Sequence, residues 1–263
     1  MSKLIQELID EMTGMRVIDS HEHLPTEAEL LATKADIFTR IFCHYSLTSA
    51  NSAGMPEDRS VLMDTRRPLD ERWSYFRPYL EAIRDNGYVR AGQITARDLY
   101  GIEQIDDTTY IELSERLQAA NTEGLFSRVL KERCKIERVL NQGSWDDGVR
   151  GYSVLVSRDF MDIDWADPGT LRDRYNTWRD VNGGDFEDPE SWLTCWLSRL
   201  AADGAVGLKF HASFPSECVD DKEAKMIFRK MASGNIESGE SFALGVWLMH
   251  HAIEYAPIYN LIA

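Results

Sequence analysis

Apolar residues in the first dozen positions fall at Leu4, Ile5, Leu8, Ile9 and Met12, with the acids Glu7, Asp10 and Glu11 between them. That three-to-four spacing predicts an amphipathic helix rather than a secretory signal. The pattern then tightens. "MRVIDSHEHL" is a strand-like run that ends in two histidines one residue apart. "PTEAELLATKADIFTRIF" returns to helical spacing, with Thr26 and Glu29 in capping-box register, and "SLTSANSAGMPEDRS" is a loop by composition. Residues 70–140 predict helical pieces and turns; "DERWSYFRPYLEAIRDNG" and "DDTTYIELSERLQAANTEG" both end in the glycine that often closes a helix.

Strand patterning resumes at "KIERVLNQ" (135–142), "GYSVLVSRDF" (151–160) and "AVGLKFHASF" (205–214). Between and after these lie three predicted helices. "DPESWLTCWLSRLAADG" has Asp188 to cap its start and Gly204 just past its end. "DDKEAKMIFRKMASGN" offers Asp220 and Glu223 as a capping box, and "ESFALGVWLMHHAIEYAP" follows. The last residues, "IYNLIA", read as the start of a further strand.

Strands separated by helices predict parallel α/β architecture. At 263 residues the chain suits one domain of the size common for a (β/α) barrel. Four strands are visible where a closed barrel needs eight. Either several strands are hidden in the pattern, or the chain carries roughly the first half of a barrel; the expectation is an incomplete TIM-barrel-type domain over 1–263, with a helical insertion after strand 1 at about 25–134.

The histidine pair carries the candidate chemistry. Residues two apart on a strand face the same way, so His21 and His23 project together while Glu22 projects away. Two imidazoles at the end of a strand can bind one divalent ion, and Asp19 on the same face could orient one of them. Without such placement an HxH is only a surface pair. Lys209 and His211 also share a face at the end of a strand, where a lysine could meet a substrate carboxylate or, as a carbamate, bridge metals; a salt bridge is the plain alternative. Arg158 ends the third strand and could grip an anionic substrate, or form an ordinary ion pair. His250 and His251 are adjacent on a helix, diverge by about 100° and suit packing or surface roles. His44, beside Cys43, has no pattern that assigns it chemistry.

Charge and cysteines narrow the classes. A net charge of −15 argues against a nucleic-acid partner, which needs Lys and Arg in excess. Four scattered cysteines without a CxxC pair predict neither a zinc finger nor a disulfide framework. The longest apolar run, "FALGVWLM", is too short to cross a membrane, so a cytoplasmic location and a small-molecule substrate are expected, with a homo-oligomer left open. Dinucleotide, Walker, nucleophile-elbow and HExxH motifs are absent.

At "VIDSHEHL" the chain resembles the amidohydrolase superfamily, whose first barrel strand ends in HxH. "TARDLYGIEQIDDTTYIELSERL", "LFSRVLKERCKIERVL" and "GLKFHASF" are similar to its amidohydrolase-2 branch, and the long helical insertion is distantly like uronate isomerases. The resemblance implies a barrel holding one or two divalent ions, zinc foremost and manganese as an alternative. It further implies hydrolysis of a small, anionic amide, ester or lactone by water activated at the metal. His21 and His23 match the first two ligands, and Lys209 matches the fourth-strand position. The family's later ligands and its strand-8 Asp have no counterpart before Ala263, so a C-terminally truncated member is expected and no catalytic residue is assigned. A uronate-isomerase-like or decarboxylase member, or an inactive remnant, are the alternatives.

Overall fold

A computed structural model describes residues 3–142, 153–157, 165–209 and 217–262. Helix α1 (Lys3–Gly14) leads into strand β1 (Val17–Glu22). Seven helices follow: α2 (Glu27–Ala32), α3 (Ile37–Arg40), α4 (Tyr45–Ser52), α5 (Ser60–Met63), α6 (Leu69–Ile83), α7 (Gly87–Tyr100) and α8 (Tyr110–Ala120). A π-helical stretch, Ser127–Arg133, precedes β2 (Ile136–Asn141) and β3 (Ser153–Ser157). Helices α9 (Pro168–Asn182) and α10 (Pro189–Ala202), strand β4 (Gly207–Leu208), helices α11 (Asp221–Ala232) and α12 (Ser238–Tyr255), and a 3-10 turn, Ala256–Tyr259, complete the order. The chain divides into two compact units, Glu27–Val129 and the remainder, Met1–Thr26 with Leu130–Ala263.

The Glu27–Val129 unit is helical and buries a core of its own. Phe38, Phe42 and Phe76 meet at its centre, and Trp73 stacks on Tyr110 at 4.7 Å. The helix read across 25–42 is two helices. Asp36 interrupts it by capping α3, accepting from the Phe38 and Thr39 N–H groups while the Thr39 hydroxyl accepts from the Asp36 N–H. Asp36 is buried, and so is its partner Arg72, which donates to it through both terminal nitrogens at 2.6 and 3.1 Å and to the Leu62 carbonyl at 2.7 Å. That bidentate pairing satisfies charges that would be costly to bury alone.

In the other unit the sheet is parallel, in the order β1-β2-β3-β4, with Gly207 of β4 also bridged to Ile262. Its core lies among the helices instead. Trp192, Trp196, Trp247, Phe228 and Tyr175 pack where α9, α10, α11 and α12 meet. Val139 and Leu208 are the buried apolar residues of β1, β2 and β4.

These features overturn the barrel. The described chain is mainly helix, and its strands are six, six, five and two residues long in one small open sheet. A barrel stave is buried on both faces, whereas β1 has no buried residue and leaves Ile18 66% exposed. The physical reason is that apolar residues expected to wall a barrel are spent on two helical cores. Among the described residues, no helix is long and apolar enough to cross a membrane.

Candidate metal centre

The histidine pair sits where β1 stops being regular. Asp19 lies opposite Val139, but Glu22 lies opposite Asn141, so three steps on β1 span two on β2. Such a bulge breaks strict alternation and re-aims side chains. Glu22 was expected to face away from Asp19; the bulge instead lets the two carboxyls hydrogen-bond. Burial first, and then the hydrogen bond and negative charge of Asp19, push the Glu22 carboxyl up to about 7, against a lowering pull from the His23 N–H.

The two imidazoles nevertheless converge. Their Nε2 atoms are 3.2 Å apart, and the rings meet edge to face with centroids at 5.1 Å. Two nitrogens each 2.0–2.1 Å from one tetrahedral ion would be about 3.3 Å apart. The pair therefore fits a shared divalent ion, and both rings are solvent-exposed.

The end of β2 holds this geometry. The Asn141 side chain grips the Leu24 backbone at both ends, accepting from its N–H at 2.8 Å and donating to its carbonyl at 3.1 Å. The Gln142 backbone N–H donates to the Glu22 carbonyl at 2.7 Å, and its side-chain Nε2 lies 3.1 Å from His21 Nδ1. The chain is thus fixed on either side of His23. Asn141 and Gln142 are not singled out by the sequence pattern; the available signal is a pair of amides directly after Val139 and Leu140 at the end of β2. Asp19, expected to orient an imidazole, instead accepts from the His21 backbone N–H at 3.1 Å.

The remaining candidates are not gathered here. Lys209 follows β4, three strands from β1, which is about 14 Å at the usual strand spacing. Arg158 and His211 lie outside the described residues. His251 stacks on Trp247 at 3.8 Å and bonds to that residue's carbonyl, as a packed helix residue does. His44 precedes α4 with φ at 53° and meets the Tyr45 ring edge to face. All four cysteines are free. No cluster of three or more His, Cys, Asp or Glu arranged for a metal occurs among the described residues. No protein-family model matches the chain, and no curated protein matches it either.

Proposed function

We propose that the chain acts as a metal-dependent hydrolase on a small, anionic amide, ester or lactone, with His21 and His23 holding a divalent ion, zinc before manganese. The observation that carries this reading is the 3.2 Å approach of the two Nε2 atoms at the end of β1. A bound divalent ion supplies Lewis acidity toward a carbonyl and toward water. The protein's own contribution is orientation and proton handling. Asn141 and Gln142 hold the backbone around His23, so the two rings need little rearrangement to share an ion. Glu22, with its carboxyl raised to about 7, holds a proton on a carboxylate oxygen near neutrality and is matched to accept or return one there.

A second reading follows from the absence of a third ligand among the described residues: a chain that binds the ion without turning over substrate. Zinc titration by calorimetry, with ester and lactone hydrolysis assayed in parallel, separates the two. One zinc per chain, lost in His21→Ala and in His23→Ala together with hydrolysis, is the expected result. Binding without hydrolysis favours the second reading. Unchanged zinc uptake in both variants removes the histidine pair from either.

A further inference from the structure

Gln142 presents an unusual pairing. Its side chain is buried, at 5% exposure, with Nε2 3.1 Å from His21 Nδ1 and Oε1 buried without a hydrogen-bond partner among the described residues. A buried carbonyl left unpaired costs about 1–3 kcal/mol. This unpaired atom belongs to the side chain that lies against the inner nitrogen of a candidate ligand.

Hydrogen-bond logic gives the amide two settings. With Nε2–H donating, His21 Nδ1 must be the acceptor, so the ring of neutral His21 carries its proton on Nε2. That Nε2–H then donates across 3.2 Å to His23 Nε2, and the pair is closed on itself. With the amide turned over, Oε1 accepts from Nδ1–H, and the NH2 takes the place that Oε1 held. The His21 Nε2 lone pair is then bare and faces His23 Nε2, which meets it either as an N–H donor or, with its own lone pair bare, across a shared cation. Metal-bound imidazole needs this second tautomer, and an acceptor on its other nitrogen is the usual way of fixing it.

We propose that Gln142 is a positioning residue that switches His21 between these tautomers, donating to Nδ1 in the metal-free chain and accepting from Nδ1–H when His21 and His23 share an ion. The proposal rests on the metal-binding reading above and adds to it a device that decides when the pair is open. Turning over the amide is a rotation about its last side-chain bond and requires no backbone movement. The Glu22–Gln142 backbone hydrogen bond holds the residue in place in both settings.

The test combines a spectroscopic and an affinity readout on the full chain. Long-range 1H–15N correlation of the imidazoles should report Nε2–H on His21 without metal and Nδ1–H after one equivalent of zinc. Gln142→Leu keeps the bulk but removes both settings, and should weaken zinc binding about 10–100-fold. Gln142→Glu restores an acceptor and should recover at least the wild-type affinity. Circular dichroism of both variants checks the fold, and recovery in Gln142→Glu separates positioning from general damage. His21 found as Nδ1–H with and without zinc, or an unchanged affinity in Gln142→Leu, overturns the proposal alone. No zinc uptake by the wild-type chain overturns the metal-binding reading, and the switch falls with it.

Discussion

Glu22 sits between two ligand candidates and carries the largest consequence of the β1 bulge. Its carboxyl is raised to about 7 by burial and by Asp19, whereas an unfolded glutamic acid titrates near 4.3. Between those values the folded chain binds more protons than the unfolded one, so stability falls as pH rises. The contribution is fully present below the unfolded value and is lost as pH passes through 7. Glu22→Gln keeps a neutral hydrogen-bonding group beside Asp19 without a titration. In the metal-free protein, wild type should lose melting temperature from pH 4.5 to 7.5 relative to this variant, and parallel curves would refute the shared proton. The sequence pointed to the histidines because a 2-residue spacing on a strand is visible. It could not point to Glu22, since alternation predicts the opposite face and a bulge depends on pairing with a strand over 100 residues away.

At the scale of elements, legibility follows the range of the interaction that sets each boundary. Asp188 and Asp220 cap α10 and α11 through the N–H groups of Ser191 and Glu223, three residues on, and both starts are readable from those side chains. Asp36 uses the same device, yet its helix start was hidden inside a continuous amphipathic pattern, because burial against Arg72 is what commits it. Tertiary crowding is equally hidden at Gly245, within the apolar run of α12. A Cβ built there would collide with the ring of Trp165, so only hydrogen lets the indole rest on the helix. Gly245→Ala should therefore cost about 1–3 kcal/mol by urea denaturation, as overpacking does. Gly239, in the same helix with open space around it, is the control: Gly239→Ala should be neutral or stabilising by up to about 1 kcal/mol. Equal behaviour of the two variants would mean that Trp165 does not cover Gly245 in solution.

The molecule as a whole departs from the barrel for a reason local patterns do not contain. Periodicity identifies strands and helices separately, but not which of them share a core. Here the apolar faces of α9 to α12 close on one another, and those of the Glu27–Val129 unit do the same, leaving the sheet short and β1 open. Helix α1 is the extreme case. Its stripe of Leu4, Ile5, Leu8, Ile9 and Met12 is as legible as any in the chain, yet none of its residues is buried. A 12-residue helix without tertiary packing is marginal in water. It follows that α1 contributes little to the stability of a single chain. Deleting residues 1–12 should shift the melting temperature by less than about 2 °C, on a scale where 1 kcal/mol moves a domain of this size by 2–4 °C. The amides of residues 4–12 should likewise exchange without protection. A fall above about 5 °C would show that the stripe is covered in solution. Dilution then identifies the cover, because a second copy makes the melting temperature rise with protein concentration and an intramolecular contact does not.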